Sequence, residues 1–508
     1  MPAFARILFA AALFLLATPA HSEWYRASSP HFEIYAEGDE AEVRVRAERL
    51  ERFDAVLRHV GGIDPGQAAR PLPIFFLKDV DAIGRMLGSG YGAAAGFYSP
   101  RAAGSFAVAP GRTPWSGADS LTPDTILFHE YSHHFLLQNF AAAYPPWFVE
   151  GFAEFYATAS FGRDGSVTVG GVPQFRVSSL RSGEDFSAQD LLTTGAIDPR
   201  SRTIEQFYAR SWLLVHHLTF SRQRTGQRAR YVAAIERGEP LEQAARGAFG
   251  DLRAFEFELR RYINSPIAAA TVAASALPAP AIEVRPLTAA EVALLPLRLE
   301  HMHRVRPDRA GFAAAVRAVT IRFPTDSAAL FLLAEAEGMA GNYDSSDRAA
   351  DALLAQAPNH SRALLRKAIN LEARSGAEGR RAARPLIVRA NRSDQADPLP
   401  LIAYYRSFGL GVETPPPLAL DGLLLAAQLV PQAIDVRLIA GAASVRAGRL
   451  DEADEVLRPT AYAPHGGGTA QKAQALLLLV EAARAGPGAT PDLVAAAERV
   501  LAESLDLS

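Results

Sequence analysis

The sequence predicts an α+β domain, built on a small sheet and two closely spaced helices, followed by an all-α solenoid of helical repeats. Three observations lead there. Up to about residue 265, short runs of alternating apolar residues are interspersed with runs of helical periodicity. Within that stretch, His129-Glu130-Tyr131-Ser132-His133 is followed after thirteen residues by Trp147-Phe148-Val149-Glu150-Gly151-Phe152-Ala153-Glu154, and both segments read as helical. Beyond about residue 290 the pattern becomes almost wholly helical, and Pro324 and Pro358 stand 34 residues apart.

The first 22 residues read as an export signal. Arg6 precedes the apolar run Ile7–Ala17, and Thr18-Pro19-Ala20-His21-Ser22 fits a cleavage site after Ala20 or Ser22. As a helix that run is roughly 16 Å long, well short of a bilayer core of about 30 Å, so a permanent span is not expected. His31-Phe32-Glu33-Ile34-Tyr35 alternates like a strand. From Asp39, a capping residue, to Val60 the residues Leu50, Phe53, Val56 and Leu57 recur on one helical face. Leu72–Leu77 and Ser105–Ala109 read as further strands. Thr122-Pro123-Asp124 is a helix start, with Thr122 as N-cap and Pro123 at the first helical position, and that helix should run to about Asn139. Pro145-Pro146 opens the next, over Trp147–Ala159. These elements define a domain over 23–265.

Residues 266–290 are rich in Ala and Pro and read as a linker or an extended segment. Over 291–508, Pro324, Pro358 and Pro431 each open a helical hairpin, with a degraded one between about 395 and 430. The 34-residue spacing is the tetratricopeptide period, and Pro431 to Gly448 repeats the spacing of Pro324 to Gly341. Such hairpins bury their faces by stacking, and the concave side can take a protein partner.

Composition excludes several classes. A net charge of −3 over 508 residues gives no long-range field for nucleic acid or anionic membrane. With no cysteine the chain forms no disulfide and carries no lipid-modified cysteine, and any metal it binds must use N and O ligands.

His129 and His133, four residues apart on a helix, project from one face and can share a metal. Glu130, beside the first of them, is placed to act as a general base on water without itself being a ligand. Glu150 on the following helix is the candidate third ligand. Three protein ligands with a fourth position open is the pattern of a catalytic zinc site. Glu154, one turn after Glu150, either supports a ligand histidine or faces solvent. His134 lies about 100° around the helix from His133, which makes it a surface or supporting residue. His216 and His217 cannot both face one metal from a helix.

These two motifs, with Tyr208-Ala209-Arg210-Ser211-Trp212, resemble the gluzincin metallopeptidases, and more closely the bacterial secreted proteins that join such a domain to tetratricopeptide repeats. The resemblance covers roughly 24–265. It implies zinc on His129, His133 and Glu150, activation of water by Glu130, and a supporting acid at Glu154. It also implies a candidate oxyanion donor in Tyr208, whose other reading is an aromatic on the apolar face of its helix. In the family an edge strand pairs with the substrate backbone, and Ser105–Ala109 is the candidate by position. The His133-to-Glu150 gap is somewhat shorter than in thermolysin or the zinc aminopeptidases, so the connecting loop must be tight. Gly104–Val108 lacks the acid with which zinc aminopeptidases hold a free amine.

The expectation is therefore a periplasmic or secreted zinc endopeptidase with a peptide or protein substrate and a possible protein partner on the repeats. The rival is a non-catalytic envelope adaptor whose repeats bind and whose zinc domain is structural or vestigial.

Overall fold

The computed structural model describes residues 23–64, 70–88, 95–115, 117, 120–181, 186–195, 201, 203–303, 308–463, 466–486 and 490–504. The expected export signal, 1–22, lies outside the described residues. Among the described residues no helix is long and apolar enough to cross a membrane.

The architecture is mixed: a sheet with helices about it, then a long helical array. The strands are β1 (Glu23–Ser28), β2 (Phe32–Gly38), β3 (Leu72–Leu77), β4 (Phe97–Ser99), β5 (Phe106–Pro110), β6 (Ser160–Phe161), β7 (Val167–Val169), β8 (Ala270–Val272) and β9 (Glu283–Pro286). The main sheet has the order β4-β5-β3-β2-β1-β9, and β6-β7-β8 form a second, small sheet. The central pairings β2/β3 and β3/β5 are parallel, whereas β1/β2, β1/β9 and β4/β5 are antiparallel.

Parallel neighbours need a crossover, and α1 (Glu40–Gly61) supplies the first one, from β2 to β3. It begins where the sequence places it, at Asp39, whose carboxylate accepts from the Ala41 amide. Helix α2 (Val80–Leu87) follows β3, and α3 (Pro123–Asn139) and α4 (Pro146–Ala157) follow β5. Thr122 caps α3 by accepting from the Thr125 amide.

Alternation along the strands splits the core in two. Phe32, Ile34, Ile74, Phe76, Ala107 and Ala109 pack with the residues of α1, α3 and α4. Tyr35, Phe75, Phe106 and Val108, from the opposite face, pack with Ile83 of α2 and with Leu295 and Leu299 of the helix Ala289–His303. A sheet covered on both faces reads as continuous apolar runs, and the IFF of β3 is such a run.

Two expectations are corrected here. Residues 266–290 are not a free linker: they carry β8 and β9, and β9 pairs with β1 over Tyr25↔Pro286 to Ser28↔Glu283. An edge strand tolerates a proline, which is how Pro286 sits at its end. The run Ser105–Ala109 is not an edge either, because β5 lies between β4 and β3, and the edge is β4.

In the array, helices Ser327–Met339, Ser361–Ser393 and Ile434–Arg446 each begin three residues after Pro324, Pro358 and Pro431. The long Ser361–Ser393 helix is broken at Gly376, whose φ is 54°. The 395–430 region holds helices Pro398–Arg406 and Pro417–Leu429. Successive helices pack on one another along the array.

Candidate metal centre

Two helices meet at the site. α3 presents His129 and His133 one turn apart, and α4 brings Glu150 and Glu154 against them. Pro145 and Pro146 start α4 only six residues after Asn139, so the connection is as tight as the motif spacing requires. On its other side α4 packs against α7 (Ile204–Phe220), reached after α5 (Val177–Arg181) and α6 (Ala188–Thr193). Gly151 makes that approach possible, since a Cβ there would lie 2.3 Å from the Ser211 carbonyl oxygen and 2.6 Å from Val215 Cγ2.

His129 Nε2 and His133 Nε2 are 3.1 Å apart, and Glu150 Oε2 lies 3.5 Å from the first and 3.6 Å from the second. Glu150 is fully buried, and only the His129 side chain keeps appreciable exposure, at 18%. A tetrahedral zinc with bonds of about 2.0–2.1 Å separates its ligand atoms by about 3.4 Å. The triangle matches that separation on all three edges, and its N,N,O composition suits zinc, so the residues fit the ion.

Glu154 is 1% exposed and does not face solvent. Its Oε1 lies 3.4 Å from His129 Nδ1, which favours the tautomer that keeps the Nε2 lone pair turned to the triangle. Arg176 holds the same carboxylate in a fork, with Nη2 2.8 Å from Oε1 and Nε 3.2 Å from Oε2. It also pairs with Glu205 and lies over the Tyr208 ring at 5.1 Å from the centroid. Burial disfavours charge on His129, but the hydrogen bond to Glu150 and the charges of Glu154, Glu130 and Glu150 outweigh it and raise its pKa to about 9.

Glu130 stands outside the triangle. Its Oε2 accepts the Tyr98 amide of β4 at 2.9 Å, so the candidate base is anchored to the edge strand. Tyr208, on α7, has its ring centroid 6.3 Å from that of His129. Burial first, and then Glu150 and Glu154, push the Tyr208 hydroxyl well above its ordinary value, which keeps it a protonated donor.

Residues 125–242 match a family of proteins described as of unknown function (DUF1570). The matched stretch contains His129, Glu130, His133, Glu150, Glu154 and Tyr208. No curated protein and no solved structure matches the chain.

The other histidines that the sequence singles out lie outside the triangle. His134 Nδ1 bonds the Tyr98 hydroxyl at 2.9 Å, and burial, with Arg58, lowers its pKa to about 3. His216 bonds Tyr262 and the carbonyls of Gly170 and Ala268, and His217 bonds Glu258. A second grouping, His31, Glu51 and Asp54, is also close enough to enclose an ion. Its atoms are already engaged: Glu51 takes the His31 amide and ring, and Asp54 takes Arg58 at 2.6 Å and the Tyr131 hydroxyl at 2.5 Å. A cation would compete with Arg58, so that cluster reads as a structural network.

Sequence reasoning did not find Arg176 or Tyr98. The cue for Arg176 is indirect: a buried Glu154 requires a cation, without saying which one. Tyr98 acts through its backbone amide and carries no sequence signal in this role.

Proposed function

We propose that the chain is a zinc-dependent metallopeptidase of the gluzincin kind, acting within peptide or protein chains and exported to the bacterial periplasm or exterior. The observation that carries this reading is the N,N,O triangle of His129, His133 and Glu150, with Glu130 one residue from the first ligand and tied to the edge strand. His129, His133 and Glu150 would hold the ion. When bound, zinc supplies Lewis-acid polarisation of the scissile carbonyl and lowers the pKa of water to about 7.

Glu130 accepts the proton of the attacking water and delivers it to the departing amine. The Tyr98 amide on its Oε2 orients the carboxylate for this exchange. Tyr208 donates its hydroxyl to the oxyanion, and Arg176 over its ring holds it in place. Glu154 keeps His129 in its ligand tautomer. The edge strand that would align an extended substrate is β4, Phe97–Ser99, in place of the Ser105–Ala109 run expected from position. The spacing of helices in the array supports the tetratricopeptide reading of 291–508, with a protein partner or substrate on its concave side.

The test is elemental analysis together with hydrolysis of an unstructured protein. One zinc per chain and cleavage that is lost in Glu130→Gln support the reading. Stoichiometric zinc with no cleavage of any substrate, and capture of an envelope protein by the repeats, would favour the adaptor instead.

A further inference from the structure

The β4–β5 hairpin connects two parts of the molecule. At its strand end, Tyr98 is tied to α3 twice: its amide donates to Glu130 Oε2 at 2.9 Å, and its hydroxyl meets His134 Nδ1 at 2.9 Å. At its turn, Arg101–Ser105, the hairpin is held by the helical array at three points. Arg101 Nη2 donates to the His303 carbonyl at 3.0 Å. Arg362 Nη2 donates to the Ala103 carbonyl at 3.2 Å, and Gln432 Nε2 donates to Ser105 Oγ at 3.2 Å. Gln432 and Ser105 are 4% and 7% exposed, and Ser105 Oγ also accepts the Arg101 amide, which closes the turn.

Packing alone does not fix this turn. Cavities of about 610 Å³ lie on both sides of it, one reaching His134 and Gln428 and the other Arg298 and Arg366. β4 itself has three residues and a single paired neighbour, the least paired strand length at this edge of the sheet. Phe97 packs against Phe106 and Ala102 against the core of the array, and the hydrogen bonds from the array add the directional ties at the turn.

We propose that the helical array positions the general base: Gln432 and Arg362, acting through the Arg101–Ser105 turn, hold β4 so that the Tyr98 amide fixes Glu130. They are positioning residues, far in sequence from the motif they serve. The inference rests on the peptidase reading for its effect on catalysis, but the mechanical link is measurable without it. Displacement of a catalytic group by about 1 Å costs up to about a hundredfold in rate, so partial release of the hairpin should lower kcat about tenfold with KM within about twofold.

The experiment uses the full chain with Gln432→Leu, Arg362→Met, and Arg381→Met as a control that removes an ion pair to Glu413 elsewhere in the array. Zinc content, kcat and KM, and amide hydrogen exchange resolved by peptide are measured on each. Expected are wild-type zinc, faster exchange confined to residues 97–105, and the fall in kcat for the first two variants, with none of these in the control. Arg362 also pairs with buried Asp397, so if its variant unfolds, Gln432→Leu carries the test alone. Unchanged exchange at 97–105 in Gln432→Leu, or faster exchange with kcat still at the wild-type value, overturns the proposal. If the wild type cleaves nothing, faster exchange in the hairpin still supports the link and unchanged exchange still overturns it, while the peptidase reading falls separately.

Discussion

Replacing Glu154 by Gln tests the support beneath the metal triangle. The carboxylate is 1% exposed, sits 3.4 Å from His129 Nδ1 and receives the two-pronged Arg176. The amide keeps the volume and removes the charge that orients His129 and raises its basicity. Losing such a partner typically weakens zinc binding about tenfold to a hundredfold, or about 1.4–2.7 kcal/mol. Stability should fall too, because Arg176 is left buried against a neutral group. Breaking a buried pair costs about 3–5 kcal/mol, and the lower end is expected because Arg176 keeps Glu205. Zinc affinity is read by competition with a chromophoric chelator and stability by the thermal midpoint of the metal-free chain. The double variant Glu154→Gln/Arg176→Met should recover part of the stability, since it removes the stranded cation, but none of the affinity. A zinc dissociation constant within about twofold of wild type in Glu154→Gln would refute the orienting role.

Further outcomes follow from the same geometry. His133→Ala should lose most of the zinc seen by elemental analysis, whereas Glu130→Gln should retain it and lose hydrolysis by several orders of magnitude. Gly151→Ala forces a Cβ against the Ser211 carbonyl, and should lower the denaturation midpoint by an amount equivalent to about 1–3 kcal/mol. In the array, burial disfavours charge on Glu335, but the Arg366 guanidinium outweighs it and brings the pKa down to about 2. The folded value is depressed, so the pair's contribution is present above the unfolded carboxylate pKa and disappears as pH falls towards about 2; Glu335→Gln should destabilise the chain at pH 7 and converge with wild type at the acid end of a titration followed by circular dichroism.

Where the fold was legible in the sequence, the signal was local. The start of α1 at Asp39 and of α3 at Thr122 and Pro123 depends on capping chemistry within one turn, and β3 matches the expected Leu72–Leu77 run residue for residue. The strands that escaped notice, β1, β4, β6, β7, β8 and β9, are defined by their pairing partners. Phe97–Ser99 is three residues long, and Glu283–Pro286 sits in an Ala- and Pro-rich stretch whose composition points to a linker. The site divides in the same way. His129 and His133 share a face by helical period, and Glu150 and Glu154 likewise. Arg176 reaches Glu154 from a separate short helical segment, and nothing local distinguishes it among the 52 lysines and arginines of the chain.

The array and the sheet cannot be treated as an accessory and a core. Leu295 and Leu299 complete one face of the sheet, β9 forms its far edge, and the turn before β5 is held by residues as distant as Gln432. A chain cut near Pro266, the boundary that composition suggests, loses β8, β9 and that cover at once. It would expose Tyr35, Phe75 and Val108, now buried, and should aggregate in size-exclusion chromatography. Such a truncation therefore cannot separate an enzyme with a docking domain from an adaptor with a spent site, because it removes the support of Glu130 under either reading. Point substitutions at the turn leave the sheet intact, and they isolate what the array does for the site.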